Sequence, residues 1–403
     1  MTGAMRHGSA IPLKRRYSFG TYWNTVWGVV MRVSESRLFL RSLFLLIATT
    51  SVFSLAVPSF KAEALPGEIS DEVFWNLVVN MSEPDGSFQF ENFVSNELGY
   101  QWVIPRLQEG TRSGGAYLGV APEQNFTYVA ALKPRIVFIT DIRRQNMIEL
   151  LMYKALFELS ETRADFISKL FARKRPDGLS EKSTAIELFD AYRQVRRDPD
   201  IQKQTLQAIK DLLVRTHKFE LRPGDLSGFS SIEYVYSVFA DAGPYLDYST
   251  GGRGAGINNP SYEDLMVADD GAGQRRSYLA SEENYRFVRE MERKNLIVPL
   301  VGDFSGPKTI RAVGQYLKDH DTPVTAFYLS NVEQYLFNDD RAAAFYENVA
   351  TLPLESSSTF IRSFSGGGGA FRFQSTLSPM EAFLKEFRAG RILQYGNLRQ
   401  LSQ

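Results

Sequence analysis

Cysteine is missing from all 403 residues. Its absence excludes disulfides, thiolate zinc sites and cysteine nucleophiles together. Histidine is scarce: His7, His217 and His320 complete the set. A Ser-His-Asp hydrolase needs a histidine base beside its serine. His217 closes a helical stretch, where a surface role suffices, and His320 precedes a strand, at the end away from a ligand cleft. Metal centres built on His or Cys are likewise unsupported, so no metal is expected. A surplus of positive charge is missing too: Lys+Arg 46 and Asp+Glu 46 give a formal net charge of +0. Basic residues gather before Leu65, which leaves the rest slightly acidic. Such a chain carries no electrostatic footprint for nucleic acid, which is not an expected partner.

Long apolar runs are also lacking. Leu43 to Val57, LFLLIATTSVFSLAV, is shorter than the ~20 residues of a membrane-spanning helix. Arg37 and Arg41 precede it, and Ala62-Glu63-Ala64 follows as an A-x-A pattern. That is the layout of a secretory signal. Residues 1–64 are therefore expected to be an export leader with a periplasmic or extracellular product, or a membrane anchor. Met31 opens a more conventional leader, and translation is expected to start there. The alternative is a cytoplasmic protein in which the run is an ordinary apolar helix. Contact with a membrane is expected through this segment alone.

What the chain does have is a strand–loop–helix–strand order from Ala116 to Asn146. Ala116 to Val120 is a short apolar run. Pro122 suits a first helical turn, and Pro134 ends the helix that follows. Ile136 to Ile139 is apolar on both faces, as buried parallel strands are. Asp141 comes directly after. This is the order of a Rossmann half, ending in a carboxylate placed to bond a ribose. Residues 65–115 read as a helical segment, with Ser70-Asp71-Glu72 capping one helix and Phe90 to Leu107 forming most of another. Residues 147–290 carry apolar positions at helical spacing and read as an insertion. Strands resume in residues 291–403 at Leu296–Val301, Val324–Leu329 and Thr359–Phe364. Ser378-Pro379 caps a last helix, and Ile392 to Tyr395 is expected to add an edge strand. The expected fold is α/β: a Rossmann-like, mostly parallel sheet with helices on both faces and a large helical insertion.

Two glycine runs, at Gly251–Gly256 and Ser365–Gly369, lack the strand–turn–helix context of a phosphate loop and read as flexible loops. The loop from Gly302 into Pro307-Lys308 opens a helix whose free N–H groups could take an anion. Each strand ends in polar residues: Glu123-Gln124-Asn125, Asp141 with Arg143 and Arg144, Asp303, and Asn331. In open α/β sheets ligands bind outside these carboxyl ends. For each, a structural reading stays open beside it. Asp141 could pair with Arg143 or Arg144, Glu123 and Asn125 could satisfy free helix N–H groups, and Asp303 or Asn331 could start a helix.

In this layout the chain resembles the class I S-adenosylmethionine-dependent methyltransferases. The resemblance implies that the first loop, Gly119 with Glu123 and Asn125, holds the methionine end of the cofactor. It implies that Asp141 holds the ribose, that Asp303 lies near the adenine, and that Arg143, Asn331 and Tyr335 face a substrate. Methyl transfer from S-adenosylmethionine to an unknown acceptor is the implied activity. The chain departs from that family at the first loop, where Val-Ala-Pro-Glu-Gln-Asn follows Gly119 in place of G-x-G-x-G. The phrases GVAPEQNFTYVAAL, DIRRQN, YKALFELS, VGDFSGPK and SNVEQYLF also resemble an uncharacterised bacterial family, roughly from Asn96 to Phe364. The second functional expectation, from a different class, is an exported non-catalytic domain that keeps the fold and binds a small molecule or serves a structural role.

Overall fold

The computed structural model describes residues 64–248, 259–366 and 373–402. The apolar run of residues 43–57, the first glycine run and Gly367 to Gly369 of the second lie outside them. Among the described residues, no helix is long and apolar enough to cross a membrane.

Six strands form one sheet in the order β3-β2-β1-β4-β5-β6. They are β1 (Ala116–Gly119), β2 (Ile136–Asp141), β3 (Ile297–Val301), β4 (Val324–Ser330), β5 (Leu354–Ser365) and β6 (Phe373–Pro379). The first five are parallel to their neighbours, and β6 runs antiparallel to β5. Every residue of β1, β2 and β3 is buried. Their continuous apolar runs follow from helices covering both faces. Pro299 sits inside β3 without breaking the ladder, because β3 is an edge strand.

Two helices, α1 (Asp71–Met81) and α2 (Ile104–Gly110), precede the sheet, and α3 (Gln124–Leu132) joins β1 to β2. Ser70 caps α1 by accepting from Val73 N at 3.3 Å. Among the described residues, the link from β2 to β3 carries helices and no strand of the sheet. It begins with α4 (Arg144–Glu158), α5 (Arg163–Leu170), α6 (Ala185–Tyr192) and α7 (Pro199–Asp211). It continues with α8 (Pro223–Leu226), α9 (Ile232–Ala242), α10 (Tyr262–Val267) and α11 (Glu282–Arg293). Helix α4 is buried on nearly every side. A helix hydrophobic all round has to be packed on all faces, and α4 contacts the sheet on one side and α9 and α11 on others. Beyond β3 come α12 (Thr309–Asp319), α13 (Val332–Asn338), α14 (Ala342–Val349) and α15 (Met380–Arg388).

Three sequence expectations are corrected here. Residues 90–99 are not helical; the helical turns begin at Tyr100. The aromatic spacing in FENFVSNELGY is that of side chains anchoring an irregular run, with Phe93 and Val94 buried. The edge strand is β6, which returns from β5 as a hairpin, while Tyr395–Leu401 is a 3-10 turn. His217 is not a simple surface residue. Its ring is nearly enclosed, 2.9 Å from Asp71 Oδ2 and 3.0 Å from Glu158 Oε2, and it stacks on Phe219.

Candidate functional site

The strand order reverses between β1 and β4, which is where an open α/β sheet forms a crevice. A cleft of about 560 Å³ lies there, within the usual range for small-molecule sites. Val120, Ala121, Pro122 and Gln124 line it from the loop after β1. Asp141 and Ile142 come from β2, Gly302 and Asp303 follow β3, and Asn331 and Tyr335 follow β4.

The fourth side is the run missed in the sequence. Residues 82–99 cross the carboxyl edge of the sheet in spatial order. Glu83 N donates to Val301 O of β3 at 2.8 Å. Gly86 N donates to Ile142 O after β2 at 2.8 Å. Ser95 N donates to Glu123 Oε1 after β1 at 3.3 Å. Glu97 then accepts from Tyr328 Oη at 3.0 Å and Ser330 Oγ at 2.5 Å on β4. The same run supplies helix caps. Asp85 Oδ1 accepts from Arg144 N at the start of α4, at 2.7 Å. Phe88 packs edge-on against Tyr335 at 5.1 Å, so an aromatic pair lines the cleft together with Asp141 and Asp303. The acids and the turn signal Glu83-Pro84-Asp85-Gly86 mark this run as a capping strap.

Glu83 also settles the anion site expected after β3. Its Oε1 accepts from Lys308 N at 2.7 Å and Thr309 N at 3.0 Å, and its Oε2 from Asp303 N at 3.0 Å. A side-chain carboxylate thus already occupies the N-terminus of α12, and no external anion is needed there.

The expected cofactor residues divide into two groups. Asp141 and Asp303 line the cleft. Asp141 Oδ1 accepts from Arg143 N at 2.9 Å and stands 3.5 Å from Arg143 Nε. Asp303 accepts from Ser305 N at 2.9 Å and is ion-paired with Arg341. Gly119, Glu123 and Asn125 do not line the cleft. Asn125 Nδ2 lies 2.9, 3.0 and 2.7 Å from the carbonyls of Val120, Ala121 and Pro122, and its Oδ1 accepts from Tyr117. This side chain holds the first loop shut from beneath, with Ala121 in the left-handed region at φ 63. A Cβ on Gly119 would lie 2.0 Å from Asn125 Oδ1, so that glycine makes room for the staple and not for a ligand. Glu123 points away from the cleft, and burial pushes its carboxyl up to about 8.

The expected substrate residues divide as well. Asn331 and Tyr335 line the cleft. Arg143 does not; its guanidinium donates to Phe90 O at 2.8 Å and to Glu91 O, tying the strap to the end of β2. Arg144 is bound at 2.7 Å by both oxygens of Asp225 and takes no part in the cleft. Of the expected cluster Glu123-Gln124-Asn125, Gln124 is the member that lines the cleft, and Glu97 and Phe88 are among the lining residues that sequence reasoning left out. Among the described residues, no group of His, Cys, Asp and Glu is placed to hold a metal.

A doubly wound, mostly parallel sheet with a lined crevice at its switch point is a Rossmann-like α/β architecture. The chain belongs to the family described as a domain of unknown function, DUF7790, which matches residues 92–221 and 260–387. No curated protein matches it.

Proposed function

We propose that the cleft binds S-adenosylmethionine or a related nucleoside and that the domain transfers a methyl group to an acceptor. The observation that carries this reading is the charge of the cleft. Its ionisable lining is Glu97, Asp141, Asp303 and Asp339 against one base, Arg341, which is already paired with Asp303, while Arg143 beside the cleft pairs with Asp141. A pyrophosphate-bearing dinucleotide would meet this acidic wall with no glycine-rich loop to cradle it. A nucleoside without phosphates, carrying positive charge, suits the wall. Asp141 stands at the end of the second strand, where a ribose hydroxyl can be bonded, and Phe88 and Tyr335 line the cleft as an edge-on aromatic pair against which a base could pack. Proximity and orientation would carry much of a methyl transfer between two bound partners.

A second reading is favoured by the first loop. Pro122 and the Asn125 staple hold that loop closed, so a domain that binds a small molecule without catalysis fits it equally. Calorimetry of the full chain with S-adenosylmethionine and S-adenosylhomocysteine, and with Asp141→Ala, tests the proposal. Saturable binding that the substitution weakens by about tenfold or more supports it. No heat with either ligand from folded protein removes it.

A further inference from the structure

Glu97 and Gln124 meet at the floor of the cleft. Gln124 Nε2 donates to Tyr328 Oη at 2.7 Å, and Tyr328 in turn donates to Glu97 Oε1. That chain satisfies one oxygen of Glu97 and the nitrogen of Gln124. The remaining atoms, Glu97 Oε2 and Gln124 Oε1, are buried without a hydrogen-bond partner. Each residue is 2% exposed and each lines the cleft. The Ser363 hydroxyl, which has no other partner, also acts on Glu97, but among the described residues nothing donates to Gln124 Oε1, and a buried acceptor without a donor is costly.

Among the described residues, no lysine, arginine or histidine forms an ion pair with Glu97. Burial raises the Glu97 carboxyl above its ordinary range, and the hydroxyls of Ser330, Tyr328 and Ser363 partly oppose that. The titratable groups that sense Glu97 are acidic or phenolic: Glu123, Tyr117, Tyr128, Tyr328 and Tyr395. They come from β1, α3 with its preceding loop, β4 and the C-terminal turn, and Ser363 adds β5; the arginines on those last two elements are engaged elsewhere, Arg362 with Glu333 and Arg399 over the Phe364 ring.

We propose that Glu97 and Gln124 form a subsite for a positively charged amino group of the bound ligand. The ammonium supplies the donors that the floor lacks and the counter-charge that Glu97 lacks. The inference rests on the cleft being the ligand site, and it names the part of the ligand that the floor selects. In the free protein the buried carboxyl is held towards its neutral form, so an ammonium ionises it on binding. The proton leaves Glu97 for the solvent, and the carboxylate forms a charge-assisted hydrogen bond with the ligand.

Two ligand pairs test this on the full chain. S-adenosylhomocysteine carries an ammonium, and 5′-methylthioadenosine lacks the amino-acid end. The account expects the first to bind at least about tenfold more tightly. It also expects net proton release on binding, read by calorimetry in buffers of different ionisation enthalpy, because burial raises the Glu97 carboxyl in the free protein. Glu97→Gln keeps the acceptor for Tyr328 and Ser330. It should erase both the preference and the proton release while 5′-methylthioadenosine binds as before, which also reports that the fold is intact. Gln124→Met, which removes the second acceptor, should reduce the preference in the same direction. Equal binding of the pair, or a preference that survives Glu97→Gln, overturns the subsite and leaves the nucleoside reading standing. If neither nucleoside binds, the nucleoside reading falls, and benzylammonium against benzyl alcohol, followed by ligand-observed NMR, decides the subsite. A Glu97-dependent preference for the ammonium supports it, and no preference overturns it.

Discussion

Glu97 and Glu333 are both 2% exposed, and each accepts a hydrogen bond from a buried tyrosine, Tyr328 at 3.0 Å and Tyr346 at 2.6 Å. They differ in everything else. Glu333 is gripped by Arg362 through two bonds, at 2.6 and 3.0 Å, and the guanidinium lies between the Phe360 and Phe383 rings, 4.3 and 4.2 Å from their centres. Glu97 has no cation, opens on a cleft and keeps one oxygen without a partner. A buried carboxylate whose charge is answered inside the protein locks strand to helix. One whose charge is left unanswered at the wall of a cleft is, in our proposal, answered by a ligand. Burial and hydrogen-bond count alone do not separate the two cases; the counter-ion on one side and the open cleft on the other do.

The largest expected effect breaks the paired site. Glu333→Ala strands the buried Arg362 charge and should cost about 3–5 kcal/mol, read as a fall in the denaturant midpoint. Glu97→Gln, by the same measurement, should leave the midpoint nearly unchanged at pH 8. A large loss there would mean that Glu97 is structural like its counterpart.

The next effect sharpens the contrast through pH. Glu123 is another buried carboxyl without a cation, raised to about 8 by burial. Its folded-state value lies above its unfolded value, so the folded state holds the extra proton between roughly pH 4.5 and 8 and stability falls as pH rises across that window. Glu123→Gln should therefore flatten the fall, raising stability at pH 9 by up to a few kcal/mol and changing little at pH 4.5. Melting curves at the two pH values check this, and an equal shift at both would contradict it.

Smaller effects follow from the strap and the histidine. Arg143→Ala removes the bonds to Phe90 O and Glu91 O. It should lower stability by about 1–2 kcal/mol and raise proteolysis within residues 83–97 while the distant insertion stays protected. His217 shows the paired condition in a titrating form. Burial would lower its pKa, but the bonds to Glu158 and Asp71 outweigh burial and raise it. Its contribution is present below the unfolded value, about 6.5, and is lost as pH rises through the folded value. His217→Gln should cost about 1 kcal/mol at pH 5.5 once solvent screening is allowed for, and nothing at pH 9. A loss that persists unchanged at pH 9 would show packing on Phe219 to be the whole effect.

Strands β1 to β4 were legible because they are short apolar runs, and Asp141 because it ends one of them; β6, FQSTLSP, was missed because it has no such run. The insertion was legible because its apolar spacing is helical over many turns. The strap was not. Its residues have neither period 2 nor period 3.6, and their partners are distant in sequence: Glu83 with Thr309, Asp85 with Arg144, Glu97 with Ser330. The first loop misled for a related reason. Glu123 and Asn125 have the chemistry of ligands, but the turn at Ala121 sends them beneath the loop, and Gln124 between them reaches the cleft. Sequence spacing placed the polar cluster at the right end of the strand. It could not say which members face the crevice, because that depends on one backbone turn.

Hydrogen exchange of the full chain, with and without saturating S-adenosylhomocysteine, tests the cleft assignment most directly. The account predicts slowed exchange in residues 83–97, 120–125, 141–145, 302–305 and 330–336, with helices α5 to α8 unchanged. No protection anywhere, or protection confined to the insertion, would contradict it.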